Sequence, residues 1–398
     1  LERVRVVAQR LDIRFECPVF VVGGTNGKGS TCAMLDSILR AAGYRVGLYT
    51  SPHLLRFNER ARIDGAAVND EVLIAEFEAV DAARGDTPLT YFEFTTLAIL
   101  RLFAAARLSA AVLEIGLGGR LDAVNIIDAD CAIVTSIDVD HVDYLGPTRE
   151  HIGAEKAHVY RSGRPAICAD PEPPQSLLEV AARMGADLRL AGRDFSYRGD
   201  RQQWSFTGRA TRRSGLPYPA LRGANQLLNA SAVLAALETL TSALPVSQQA
   251  VRQGLLTVEL PARFQVLPGR PTVVLDVAHN PHAAAVLAEN LDNMGFYPVT
   301  HAVFGMLRDK DIAGVVQRLG DRIDHWHVGT LAGARGTDGA ALAQIVRSSR
   351  GVQSVSAYDS IATAFAAARS AAGSDDRIIV YGSFMTVAEA MRVIAQRH

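Results

Sequence analysis

The chain has 398 residues, enough for two domains with separate cores. Lys+Arg 41 against Asp+Glu 42 leaves a formal charge of −1, so no global field favours nucleic acid or an anionic membrane surface, while local phosphate sites stay open. No apolar run approaches the roughly 20 residues that span a bilayer, and Cys17, Cys32, Cys131 and Cys168 sit in or beside apolar runs without metal-ligand spacing, as reduced core cysteines of a cytoplasmic protein do.

The opening stretch, from Leu1 to Leu11, reads as a helix entered partway, so a preceding N-terminal segment is expected. An apolar run from Val19 to Val22 then breaks into Gly23-Gly24-Thr25-Asn26-Gly27-Lys28-Gly29-Ser30-Thr31. This pattern predicts a strand, a phosphate loop and a helix start. Backbone N–H groups turn inward together and meet an anion at the positive end of the helix, with Lys28 on the outer phosphates and a hydroxyl from Ser30 or Thr31. The spacing is not that of the common P-loop, because Gly29 separates Lys28 from Ser30.

A helix follows to Gly43, then a strand from Arg45 to Thr50 ending in Ser51-Pro52-His53. Residues 54–69 read as a loop or short hairpin over the site, residues 70–84 as a helix. Thr90 to Thr96, with three aromatic residues, leads into a buried helix to Arg107. Buried strands at Ala110–Ile115 and Cys131–Ile137 end in Glu114 and in Asp138-Val139-Asp140-His141, and a helix from about Thr148 carries Lys156. Strand–helix alternation predicts a parallel sheet with crossover helices. Phe195 to about Gly215 reads as a solvent-facing hairpin and Gly223 to Leu240 as a helix. After Leu260-Pro261-Ala262-Arg263 the rhythm restarts, with strands expected from Thr272, Thr300, Asp324, Val352 and Arg377. The fold class is α/β: a P-loop-containing doubly wound parallel sheet domain over 1–257, a linker over 258–263, and a smaller Rossmann-like α/β domain over 264–398.

Ser51, Glu114 and His141 each follow a buried strand of the first domain, so in a doubly wound sheet they share the edge that holds the phosphate loop. One hydroxyl, one carboxylate and one imidazole make a partial shell for Mg²⁺ holding nucleotide phosphates, although each alone could be a capping or paired surface residue. Lys156 reads either as a helix ion-pair partner or as a group near the phosphates, where a carbamate would turn it into a metal-orienting anion. In the second domain, helix-start chemistry explains Asn280 and Pro281 but not Asp276 or His279.

These residues resemble a known family. The loop from Gly24 to Ser30, Tyr49 to His53, Phe57-Asn58-Glu59-Arg60, Glu114 to Asp122, Asp140-His141, Glu155-Lys156-Ala157, Leu260 to Arg263 and Ala278 to Pro281 together look like folylpolyglutamate synthase/dihydrofolate synthase of the Mur ligase superfamily. The resemblance implies an ATP-dependent amide ligase that uses Mg²⁺ and passes through an acyl phosphate. Thr25, Asn26, Gly27, Lys28, Gly29 and Ser30 would hold the phosphates, with Lys28, Lys156 and His279 nearest the chemistry. Ser51, Glu114 and His141 would bind Mg²⁺, and Lys156 would be carbamylated. Asn229, Arg263 and Asp276 would contact ATP. Thr90, Tyr91, Phe92, Glu93, Leu121, Asp122 and Ala123 would line the pteroate site. Thr90 to Phe94 with Gly305 to Asp311 resembles the bifunctional bacterial form, whose partners are dihydropteroate, reduced folates and L-glutamate, in a cytoplasmic monomer. An extension-only synthase, another Mur-type ligase and a nucleotide-binding regulator are the alternatives. Val277 and His158 stand where the family has glycine, and the family's Asp-Leu-Gly segment before Leu1 is absent from this sequence.

Overall fold

A computed structural model describes residues 1–223 and 225–396. The chain forms two compact units, Leu1–Ala220 with Gln226–Glu259, and Leu221–Asn225 with Leu260–His398.

The first unit is built on an eight-stranded sheet of β1 (Val19–Gly23), β2 (Val46–Tyr49), β3 (Ala61–Ile63), β4 (Ala66–Ala67), β5 (Ala110–Glu114), β6 (Cys131–Val134), β7 (Pro165–Cys168) and β8 (Asp187–Leu190), in the order β4-β3-β2-β5-β1-β6-β7-β8. β1 lies at its heart, parallel to β5 and β6. Its five residues are all buried, which is why it reads as an unbroken apolar run rather than an alternating one. Because Val22 pairs with Glu114 and Gly23 with Val134, the chain leaves β1, β5 and β6 at one level of one edge. β2 ends there as well, with Tyr49 opposite Leu113. The helix Lys28–Ala41 is buried from Gly29 to Leu39.

Residues 54–69 form a 3₁₀ turn (Phe57–Arg60) and the β3–β4 hairpin, whose first strand pairs antiparallel with β2. The solvent-facing segment is three-stranded, not a two-stranded hairpin: β9 (Ser196–Gly199), β10 (Trp204–Thr207) and β11 (Arg212–Leu216), in the order β11-β10-β9. Trp204 and Phe206 are its buried face. The helix expected from Gly223 begins at Gln226, since Gly223 has a left-handed φ of 132°, and Ala224 lies outside the described residues.

The second unit carries a six-stranded sheet: β12 (Gln265–Leu267), β13 (Thr272–Leu275), β14 (Thr300–Phe304), β15 (His325–Gly329), β16 (Ser354–Tyr358) and β17 (Arg377–Tyr381), ordered β12-β13-β17-β14-β15-β16. Five strands are parallel, and the short β12, which sequence pattern does not reveal, pairs antiparallel with β13 at the edge. Phe304, Trp326 and Tyr381 pack ring on ring in its core. Among the described residues no helix is long and apolar enough to cross a membrane.

Candidate active site

The loop after β1 takes a shape that only glycine permits at two points. Gly24 has φ 143°, and a Cβ there would overlap the Thr135 hydroxyl; Gly27 has φ 88°, and its Cβ would come within 2.7 Å of Asn229 Oδ1. The residues after β6 hold the loop. Thr25 N–H donates to Ser136 O at 2.6 Å, Thr135 Oγ donates to Asn26 O at 2.6 Å, and Thr25 Oγ and the Asp138 backbone exchange bonds of 3.0 and 3.1 Å. Lys28 opens the helix and folds back, its Nζ donating to the carbonyls of Gly24 and Thr25, both at 3.1 Å. Gly29 and Ser30 lie buried in the first turn, and Gln226 Nε2 donates to Ser30 Oγ at 3.4 Å. Asn229 is buried against the loop, its amide donating to Gln226 Oε1 at 3.3 Å.

Lys156 reaches the same loop from the end of the helix Arg149–Ala157, Nζ donating to Gly24 O at 2.9 Å. It is 3% exposed. Burial, then the nearby Lys28 charge, brings its pKa down to about 7, while Asp140 and Asp122 oppose the shift. The ion-pair reading of Lys156 fails: Glu155 is taken by Arg120 at 2.8 Å, and Lys156 points into the unit.

Glu114 and Ser51 meet at the sheet edge, Ser51 N–H donating to Glu114 Oε2 at 3.0 Å. His141 starts a short helical turn in left-handed conformation, φ 53°, its Nε2 4.0 Å from the Asp140 carboxylate. Glu114 and Ser51 offer oxygen donors of the kind Mg²⁺ takes alongside water and phosphate. Among the described residues no group of three or more His, Cys, Asp or Glu is placed to hold a metal by itself.

The aromatic segment splits between structure and surface. Thr90 and Glu93 form a reciprocal capping box on the helix Tyr91–Ala105, and Glu93 also binds Arg3 at 2.8 Å. Tyr91 is exposed, and Phe92 packs over Gly116 at the end of β5. Leu121 is exposed and Ala123 buried. Asp122 is buried, accepting from Leu117 N at 2.8 Å and Val124 N at 3.0 Å, and burial pushes its carboxyl up to about 6.

In the second unit, Asp276 follows β13 and accepts from Phe264 N and Ala278 N, both at 2.8 Å. Burial raises its pKa, against the pull of Arg263 and these two N–H groups. The turn that carries Arg263 is strained on both sides, Ala262 and Phe264 having φ 61° and 46°. Val277 fits beside it, fully buried, with its N–H on Ala262 O at 3.1 Å. The Arg263 guanidinium stands 5.2 Å from the Phe384 ring centroid, and the His279 ring 6.3 Å from the same ring. His279 Nδ1 bonds Val277 O at 2.8 Å, which puts a proton on Nδ1. Sequence reasoning missed Phe384, Thr135 and Ser136, and it quoted His53 and Arg60 within the family motifs without assigning either a role in the site; polar residues right after a buried strand were the available signal for Thr135 and Ser136.

Residues 22–169 match the model of the Mur ligase middle domain and residues 262–384 that of the Mur ligase glutamate ligase domain. The dihydrofolate synthase/folylpolyglutamate synthase of Escherichia coli is 45% identical over 398 residues, covering 100% of this chain and 92% of that protein. The chain belongs to the dihydrofolate synthase/folylpolyglutamate synthase family of Mur ligases. The Haemophilus influenzae relative is 40% identical, with 99% and 93% coverage. Among solved structures, E. coli FolC in complex with DHPP and ADP superposes with a TM-score of 0.94, 45% identity and coverage of 100% and 93%. A bifunctional folylpolyglutamate synthase/dihydrofolate synthase with Mn, AMPPNP and L-glutamate bound gives 0.92, 45%, and 99% and 94%. Family membership thus agrees with the α/β reading and with the ATP and divalent-metal chemistry expected of the site.

Proposed function

We propose that this chain is an ATP-dependent ligase that joins L-glutamate to dihydropteroate, giving dihydrofolate, and to the glutamate tail of reduced folates. The observation that carries the reading is the loop Gly24–Gly27, shaped by left-handed glycines, with Lys28 and Lys156 both converging on the Gly24 carbonyl.

A carboxylate and an amine do not condense at neutral pH, so the acid must first be activated. The substrate carboxylate attacks the γ-phosphorus of ATP, releasing ADP and forming an acyl phosphate. The glutamate amine attacks that carbonyl, losing a proton, and phosphate leaves. The protein's share is positioning and charge neutralisation. We assign Thr25 to Ser30 to the phosphates, with Lys28 offsetting charge on the transferred group. Ser51, Glu114 and His141 are assigned to Mg²⁺, which when bound neutralises phosphate oxygens. Lys156, neutral over part of its population near pH 7, can take up CO₂ as a carbamate. Asn229, Arg263 and Asp276 are assigned to ATP and His279 to the transferred group or the incoming glutamate. Tyr91, Phe92 and Leu121 supply the surface for the pteroate, while Thr90, Glu93, Asp122 and Ala123 shape its walls. We take the enzyme to be a cytoplasmic monomer.

Incubation with ATP, Mg²⁺, L-glutamate and dihydropteroate should yield dihydrofolate and phosphate, and tetrahydrofolate should gain glutamate. Absence of glutamate-dependent phosphate release with both acceptors would refute the reading.

A further inference from the structure

The turn after β2 holds hydrogen-bond donors that find no acceptor among the described residues. Arg60 closes the 3₁₀ turn Phe57–Arg60 and is 8% exposed. Its carbonyl accepts the Thr50 N–H at 3.1 Å, which fixes it opposite the residue before Ser51, at the sheet edge bearing Glu114. Arg60 Nε donates to His53 Nδ1 at 2.9 Å. A guanidinium can only donate, so His53 accepts at Nδ1 and its ring proton lies on Nε2. The neighbouring Glu59 carboxylate is occupied by the N–H groups of Leu54, Leu55 and Arg56 at 2.7–2.8 Å. Among the described residues no carboxylate pairs with Arg60, and its guanidinium instead lies over the rings of Phe57 and Tyr91, 5.4 and 5.8 Å from their centroids.

A planar cation with free N–H groups, an imidazole N–H beside it and aromatic rings against it make a site for a carboxylate. We propose that Arg60, with His53, binds the α-carboxylate of the folate's terminal glutamate, so that Arg60 serves tail extension rather than addition of the first glutamate. The assignment rests on the ligase reading above. Dihydropteroate ends in one carboxylate, which is consumed in the reaction. A folate ending in glutamate reacts through its γ-carboxylate and brings a second, spectator carboxylate that needs a partner once water is excluded. Tyr91, against the guanidinium, belongs to the segment assigned to the pteroate, which places Arg60 on the folate side. A role for Arg60 toward the incoming glutamate would bear equally on both reactions, because that amino acid is common to them.

The test compares three acceptors with the full-length enzyme: dihydropteroate, monoglutamyl tetrahydrofolate, and the same folate with its α-carboxylate converted to a primary carboxamide. In the wild type the carboxamide should lower kcat/KM by about 10- to 100-fold, the cost of losing a charged hydrogen-bond partner. Arg60→Gln should lower kcat/KM for tetrahydrofolate by a similar factor relative to its effect on dihydropteroate, and should erase the difference between carboxylate and carboxamide. Equal loss with both acceptors, a raised KM for L-glutamate with either acceptor, or wild-type indifference to the carboxamide would overturn the assignment. The wild-type comparison decides even if Arg60→Gln does not fold. A wild type inactive on both natural acceptors would instead refute the ligase reading, and this assignment with it.

Discussion

Lys28 and Lys156 donate to the same oxygen, the carbonyl of Gly24, at 3.1 and 2.9 Å. Burial, and then the Lys28 charge beside it, disfavour a second ammonium here, and Lys156 yields its proton at about pH 7. Only the neutral amine reacts with CO₂, and the resulting carbamate would stand as an anion beside Lys28. Activity should therefore fall several-fold in CO₂-depleted buffer and return with bicarbonate. This activation should be present above about pH 7 and lost as pH drops below it. Lys156→Ala should lose about 100-fold or more in kcat, with partial rescue by added short carboxylic acids. Equal rates with and without bicarbonate, measured by phosphate release, would rule out the carbamate.

Gly27→Ala tests the loop. The new Cβ must adopt a left-handed φ and press on Asn229 Oδ1, so the loop shifts away from the helix Gln226–Thr239. Calorimetric ADP affinity should drop by about 10-fold or more, with about 1–2 kcal/mol lost from folding stability. Unchanged affinity would show that the loop's glycine geometry is not needed for nucleotide.

How far the sequence discloses the site depends on the distance along the chain between partners. Gly24 to Lys28 is a local pattern, and the apolar runs ending in Glu114 and in Asp138 to His141 disclose the sheet edge, because burial on both faces leaves an uninterrupted signature. Thr90 and Glu93 illustrate a local pattern with a double meaning: the resemblance assigns them to the pteroate, and their side chains form a capping box. Contacts such as Arg60 on Tyr91 or Arg263 on Phe384 depend on chain crossings that no periodicity encodes. The strand β12 escapes for another reason: three half-buried residues at a sheet edge carry too little pattern to stand out from a loop.

Asp122 separates wall from ligand contact. Both carboxylate oxygens accept buried N–H groups, so Asp122→Ala leaves Leu117 N and Val124 N unsatisfied and should cost about 2–4 kcal/mol in urea denaturation. The raised pKa of Asp122 gives a stability contribution that is fully present below pH 3.8 and lost as pH rises through about 6. Asp122→Asn should remove that slope while retaining one acceptor oxygen. If Asp122→Ala loses activity without losing stability, the side chain acts on substrate directly.

The second unit contains an acid-sensitive cluster. His301 and His327 are buried on neighbouring strands, His301 Nδ1 3.3 Å from His327 Nε2, with Tyr358 OH on His327 Nδ1 at 3.2 Å and Asp376 3.7 Å from His301. Burial, then the other histidines, lowers His327 to about 4, and burial also lowers His301, while Asp376 and Asp324 pull His301 the other way. Folding thus favours the neutral rings, so stability is present above pH 6.5 and lost as pH falls toward 4. His327→Gln should flatten the pH dependence of the thermal midpoint in that window. An unchanged slope would place the acid sensitivity elsewhere.

Phe384 offers a test of the second unit's assigned role in catalysis. Its ring stands beside both the Arg263 guanidinium and the His279 imidazole, at the start of a helix capped by Ser383. Arg263 sits on a strained turn, and Asp276 supports that turn through Phe264 N. Removing the ring takes away a cation–π contact of about 0.5–2 kcal/mol and one packing surface of two side chains that must be held for reaction. Phe384→Ala should therefore lower kcat/KM for ATP by about 3- to 30-fold, with Phe384→Tyr restoring most of it because the aromatic face is kept. A purely structural role would predict a lower unfolding midpoint with normal kinetics below it. Steady-state kinetics at several ATP concentrations, paired with a melting curve for each variant, distinguishes the two.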